Sequence, residues 1–202
     1  MKVIFYCFVF LVQFMSVSHA EAKKMVFLGD SLTEGLGVSK ESAYPFLIDQ
    51  KIQKISKTPW TVVNSGLSGS TSASAPSRVQ WILKMKPDLC LIALGANDGL
   101  RGLSVMEMKK NLSEAIQVLK KAKIQVILVG MKMPPNYGLQ YTQNFEKSYK
   151  ELAQLEKIPF YPFLLEGMAG NPQFNQPDGI HPNEEGHKVI AEKLFNFLKA
   201  YL

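Results

Sequence analysis

The chain has almost nothing from which to build a covalent or metal scaffold. Only two cysteines, Cys7 and Cys90, occur in 202 residues, and no Cys-x-x-Cys pair is present to hold zinc. With 14 glycines and 11 prolines, there is no collagen-like or low-complexity bias. Arginine is scarce too: Arg78 and Arg101 are the only two. The formal charge of +6 therefore rests on lysine. Its densest cluster, Lys120-Lys121-Ala122-Lys123, falls where a helix C-terminus favours cations, so no nucleic-acid partner is expected. What remains is 47% hydrophobic and 20% charged, the balance of one packed domain rather than a disordered chain.

The N-terminus reads differently from the rest. Lys2 precedes an apolar stretch over residues 3–15, broken only at Gln13, and small residues follow, with Ser18 and Ala20 spaced as a signal peptidase requires. The run is shorter than the roughly 20 residues of a membrane-spanning helix, so residues 1–20 are expected to be a secretory signal and 21–202 the domain. An uncleaved N-terminal anchor is the alternative. Cys7 lacks the small residues that would precede a lipid-modified cysteine. Cleavage would leave Cys90 alone in the run Leu89-Cys90-Leu91-Ile92, where a buried, inert thiol is expected. The exported chain would be periplasmic or secreted, without a stable membrane anchor. Its length of about 180 residues suits a monomer that buries about 70% of its unfolded surface.

Strand-like and helix-like stretches alternate. Apolar runs at 24–28, 60–63, 88–94, 124–129 and 159–162 read as strands, the third apolar after its first residue as buried parallel strands are. Helical faces are expected over 45–55 (Phe46, Leu47, Ile48, Ile52, Ile55), 78–85 and 104–122. Two more follow over 141–156 (Phe145, Tyr149, Leu152, Leu155) and 183–201. Such alternation predicts an α/β fold with three α/β/α layers, a parallel sheet covered by helices on both faces.

In open parallel sheets, ligands bind beyond the carboxyl ends of the strands. There the sequence places Gly29-Asp30-Ser31-Leu32, a Gly/Ser/Thr-rich loop over 64–77, Gly95-Ala96-Asn97-Asp98-Gly99, and Asp178-Gly179-Ile180-His181-Pro182. These types suit acyl transfer. A serine hydroxyl is a weak nucleophile until a base takes its proton, and histidine changes charge close to neutral pH. His181 is the well-placed base, because His19 leaves with the signal and His187 lies inside the last helix as a structural or exposed residue. Asp178, three residues earlier, can fix the imidazole tautomer. The Ser31 and Gly69 backbone N–H groups and the Asn97 amide are the candidate oxyanion donors. Taken singly, Gly-Asp-Ser and Asn-Asp-Gly are ordinary turns, Asp178 could cap a helix and His181 could be a surface residue. Their convergence on one rim is the specific signal.

Those four blocks resemble the SGNH (GDSL) hydrolase family over nearly the whole chain from Met25 onward. The segments Gly95–Gly102 and 135–138 (Pro-Asn-Tyr-Gly) resemble its bacterial subgroup of acyl-CoA thioesterase I, lysophospholipase L1 and arylesterase. The resemblance implies a flavodoxin-like sheet of five parallel strands, a Ser31-His181-Asp178 triad, and no cofactor or metal. It also implies a mobile loop from Gly99 to Ser104 beside an acyl groove. Ser70 departs from that subgroup, where an aspartate often follows the glycine, which bears on substrate preference and on no catalytic role.

The expected function is a serine esterase acting on acyl esters or a lysophospholipid, with thioester cleavage as a side activity. Asp30, Gly99, Leu100, Leu103, Met133 and Tyr137 are the expected substrate contacts. An exported enzyme would rarely meet acyl-CoA, which is cytoplasmic. A carbohydrate O-deacetylase is the alternative within the same chemistry, and a non-catalytic lipid- or glycan-binding protein is the alternative outside it. Metal-assisted hydrolysis lacks ligands in this sequence, with two histidines and no carboxylate cluster around them after the leader.

Overall fold

A computed structural model describes residues 22–202, so the expected signal over 1–20 lies outside the described residues. Five strands form one parallel sheet in the order β2-β1-β3-β4-β5. They are β1 (Lys23–Gly29), β2 (Trp60–Gly66), β3 (Leu89–Ala93), β4 (Gln125–Val129) and β5 (Phe160–Tyr161). This is the flavodoxin-like order, whose direction reverses between β1 and β3. The register there is level: Gly29 pairs with Gly66 on one side and Ala93 on the other. The loops leaving β1, β2 and β3 therefore start from one line.

Helices α2 (Tyr44–Ile55) and α7 (Glu184–Leu198) pack together, while α3 (Ala75–Lys84), α5 (Val105–Lys121) and α6 (Leu139–Glu156) pack as a second group. The central strands lie between these layers, with Val26, Phe27, Leu91 and Ile127 fully buried. Helix ends carry their own stop and start chemistry. Ser104 caps α5 by accepting from the Glu107 N–H, and Asn183 caps α7 by accepting from the Gly186 N–H. Lys120 and Lys121 fall in the last turn of α5, where the helix dipole favours cations. Cys90 is buried within β3, and its thiol is pushed up to about 12 by that burial.

Several boundaries differ from the sequence reading. β2 runs three residues further, because Asn64, Ser65 and Gly66 complete its ladder with β1 although their side chains are polar. Helix α3 begins at Ala75 rather than Arg78, since Pro76 in the first turn needs no N–H donor there. Residues 96–100, read as a turn, form a short helix, α4 (Ala96–Leu100). The inward assignment of Phe46, Ile55 and Leu155 is also corrected. All three are exposed, the last two at helix ends beyond the sheet's cover.

His187 turns out to be a structural group. It is buried on α7, stacks on Tyr44 with ring centroids 6.1 Å apart, and its Nδ1 accepts the Tyr44 backbone N–H at 3.3 Å. Burial holds the imidazole at about 4, below its ordinary 6.5, with the nearby His181 charge acting in the same direction. The folded chain thus keeps His187 neutral where the unfolded chain would protonate it. Its contribution to stability is complete above pH 6.5 and is lost as pH falls towards 4. His187→Gln should flatten this acid slope by roughly 3 kcal/mol between pH 7 and 4, while costing about 1–3 kcal/mol at pH 7 through lost packing. Urea unfolding across that range checks it, and equal slopes in both proteins would refute the assignment.

Candidate active site

At the end of β1, Gly29 hands over to a four-residue helix, α1 (Ser31–Glu34). Asp30 is its N-cap: Oδ1 accepts the Leu32 N–H at 3.0 Å. Ser31 therefore occupies the first helical position, where a backbone N–H has no partner within the helix. Gly66 lets α1 sit down on the sheet. A Cβ there would lie 2.1 Å from the Glu34 backbone nitrogen, so any side chain would lift the helix.

Three loops meet Ser31. From β2, Gly69 takes a positive φ of 74°, which a side chain would strain. From β3, the Asn97 amide donates to the Ser70 carbonyl at 3.0 Å, and its second hydrogen remains available. Among the described residues, the Ser31 and Gly69 N–H groups donate to no protein acceptor. From the loop before α7, the His181 Nε2 stands 2.9 Å from the Ser31 Oγ. The His181 Nδ1 is 2.6 Å from the Asp178 Oδ2.

Asp178 is held in its turn. Its Oδ1 accepts the backbone N–H groups of Ile180 at 2.9 Å and His181 at 3.0 Å. The His181 hydrogen bond, with these two, pulls its carboxyl down to about 2. It therefore stays ionised as an acceptor throughout the physiological range, which fixes the proton on the His181 Nδ1 and leaves Nε2 to face the serine. Loop 163–182 is braced elsewhere as well. The Asn175 Nδ2 donates to the Met168 and Asn171 carbonyls, and Gln176 ties the loop to the Leu36 carbonyl at 2.7 Å.

Several supports were not visible in the sequence. Asp98, read as part of a turn, is buried and accepts both the Ser72 N–H (2.8 Å) and the Ser72 hydroxyl (2.5 Å), pinning the β2 loop to α4. Arg78 donates to the Gly29 carbonyl at 2.9 Å and to the Ser65 carbonyl, joining the ends of β1 and β2. Tyr149 donates to the Leu94 carbonyl at 3.0 Å beneath the Asn97 loop. Spacings of 13 to 55 residues carry no local pattern that would reveal such pairs.

A cavity of about 630 Å³ opens from Ser31, Asn97 and His181. That volume is ordinary for a small-molecule site. Its walls are apolar and come from Met131, Met133, Phe163, Leu165, Ala169 and Ile180. Of the expected contacts, Asp30, Leu100 and Met133 line it, whereas Gly99, Leu103 and Tyr137 do not. Gly99 backs onto the Met133 sulfur, and the Tyr137 hydroxyl donates to the Leu100 carbonyl at 3.0 Å. Leu103 is exposed outside the cavity. The groove thus runs under loop 163–181, on the β4–β5 side, a direction set by tertiary packing.

Residues 27–189 match the GDSL-like lipase/acylhydrolase family. The chain belongs to that family. Thioesterase 1/protease 1/lysophospholipase L1 of Escherichia coli K12 is 38% identical over 186 residues, spanning 92% of this chain and 87% of that one. The arylesterase of Vibrio mimicus is 34% identical over 191 residues, covering 94% and 92% respectively. The crystal structure of TesA superposes with a TM-score of 0.85 at 34% identity, over 89% of this chain and all of that one. This acylhydrolase is accordingly a hydrolase of ester bonds with the three-layer α/β/α fold expected from its sequence.

One group in the pocket has an unusual environment for its type. Asp30 is buried, its Oδ2 has no hydrogen-bond partner, and burial raises its carboxyl to about 6 from an ordinary 3.8. Ionisation therefore costs the folded state more than the unfolded one, and this group's contribution to stability declines as pH rises from about 4 to about 6. Asp30→Asn keeps a capping oxygen and removes that cost. Relative to the parent, the variant should gain about 3 kcal/mol in unfolding free energy between pH 4 and 7. Chemical denaturation at four pH values reads the difference directly; a constant offset would show that Asp30 does not titrate there.

Proposed function

We propose that the chain is a serine esterase for fatty acyl esters, with Ser31 as nucleophile, His181 as general base and acid, and Asp178 as the group that orients it. The relay of 2.9 and 2.6 Å contacts at the mouth of an apolar cavity carries this reading. The Ser31 Oγ attacks the acyl carbonyl carbon while the His181 Nε2 takes the hydroxyl proton. The carbonyl oxygen gains the negative charge, and the Ser31 and Gly69 N–H groups with the Asn97 Nδ2 stabilise it. The carbon–oxygen bond to the alcohol then breaks, and His181 returns the proton to the departing oxygen. Water, deprotonated by the same nitrogen, attacks the acyl-serine, and the carboxylic acid leaves as Ser31 recovers its proton.

The cavity walls favour a chain of methylenes over an acetyl group, because each buried CH₂ contributes about 0.8 kcal/mol. A lysophospholipid or another single-chain ester fits these walls, and a thioester would react by the same steps. The apolar leader over residues 3–15 followed by Ser18 and Ala20 supports export of the chain to the periplasm or medium. Export makes envelope lipids a closer substrate class than acyl-CoA.

Turnover of p-nitrophenyl esters from acetyl to palmitoyl tests the reading. The rate should climb beyond acetyl to a medium- or long-chain optimum, and Ser31→Ala should lower kcat by at least about 10³-fold at unchanged folding. A sharp acetyl optimum would favour a deacetylase, and activity surviving in Ser31→Ala would remove Ser31 from its role. Asp178→Asn should cost about 10³–10⁴-fold in kcat with little change in KM, since it withdraws the group that sets the His181 tautomer.

A further inference from the structure

Large apolar side chains left on the surface are not spread evenly. Among the described residues ten are exposed, and six of them (Leu36, Leu67, Leu103, Met106, Leu139 and Ile180) sit in segments that follow the carboxyl ends of the strands. Leu36 follows α1, Leu67 directly follows β2, and Leu103 and Met106 flank the start of α5. Leu139 opens α6, and Ile180 precedes α7. A parallel sheet puts all of these at one edge, the edge onto which the cavity opens. Met106 and Leu139 are 74% and 72% exposed, although each stands in the first turn of a helix where a polar residue would serve equally well. The loops carrying them are tied to one another. Tyr141 donates to the Leu103 carbonyl at 2.9 Å, Gln176 to that of Leu36, and Arg101 to that of Gly69 at 3.1 Å.

We propose that this rim is a docking face for an aggregated phospholipid surface, onto which the enzyme settles with its cavity mouth towards the lipid. Three observations identify the occupant. The apolar surface is continuous with the cavity, because Ile180 both lines the cavity and is exposed on the rim. Separate side chains on several loops and helix starts, rather than one flat patch, suit insertion into a fluid headgroup layer better than a rigid protein partner. The +5 net charge of residues 21–202 attracts the chain to membranes bearing anionic lipid. Docking would let a single-chain ester pass from the aggregate into the cavity without its acyl chain crossing water. The inference goes beyond ester hydrolysis itself, since a soluble short ester reaches Ser31 without any surface.

Residues 22–202 contain every described strand and helix, so the chain 21–202 is used to keep the apolar leader from binding by itself. Co-sedimentation with vesicles of phosphatidylcholine and phosphatidylglycerol (7:3) is measured for three proteins: the parent, Met106→Gln/Leu139→Gln, and Ile55→Gln/Leu155→Gln. The last pair removes two exposed apolar side chains at helix ends on the opposite edge. Turnover of water-soluble p-nitrophenyl butyrate is recorded in parallel and should be unchanged in all three. Binding by the parent and the opposite-edge variant, with about tenfold or greater loss in the rim variant, is the expected result. The proposal is overturned if the parent stays in the supernatant, or if both variants lose binding equally. It is also overturned if sedimentation velocity shows a dimer that the rim variant dissolves, which would make the face a contact between two copies. Loss of butyrate turnover in Ser31→Ala alone tests the chemistry separately, so the two readings fail independently.

Discussion

Everything at the rim depends on β1 lying level between its two neighbours. Gly29 faces Gly66 and Ala93 across the ladder, so three strands end on one row. Ser31 is then two residues beyond that row, Gly69 three residues beyond it and Asn97 four. A parallel ladder has slanted bonds and a side-chain period of two, so slipping β1 by one residue would move each of its buried side chains to the opposite face, into a space shaped for another. The mispacking cost of that slip, spread over Val26, Phe27 and Leu28 in β1 alone, holds the loops in position. Placement of the donors around Ser31 is thus a consequence of core packing several ångströms below them.

Above that row, polar contacts decide the remaining freedom. Asp98 grips Ser72, Arg78 joins the ends of β1 and β2, and the Asn97 amide holds the Ser70 carbonyl. Each replaces water around a group that would otherwise be left unpaired in a partly dry site. His181 arrives from the far end of the chain on a loop fixed by Asn175 and Gln176. Within the relay His181 is held between Ser31 and Asp178, and Asp178 is aimed by two backbone N–H groups. Asp30 is the exception, a carboxyl half-satisfied at the cap and otherwise enclosed.

The apolar surface of this acylhydrolase divides into three parts with different tasks. The core seals the sheet between its helix layers. Met131, Met133, Phe163 and Leu165 form a concave lining open to Ser31. Leu36, Leu67, Leu103, Met106, Leu139 and Ile180 stand exposed at the edge where that lining opens. Composition alone cannot separate these uses, because burial is a property of where neighbours come to lie.

Some of this was determined by the sequence itself. Uninterrupted apolar runs identified β1 and β3, since strands covered on both faces must be apolar throughout. Ser31, Gly69, Asn97, Asp178 and His181 could be read because each stands a fixed, short distance after a strand or within a tight turn. The tertiary structure decided the rest. The end of β2 escaped because an edge strand needs no apolar side chains at Asn64 and Ser65. Leu103 and Tyr137 were placed in the groove because they neighbour Leu100 in sequence or motif, whereas the groove lies under residues 163–181. The Asp98–Ser72 tie and the burial of His187 join segments 26 and 143 residues apart. Periodicity reports only which face of an element is apolar; which elements meet across the sheet is settled by packing all of them at once.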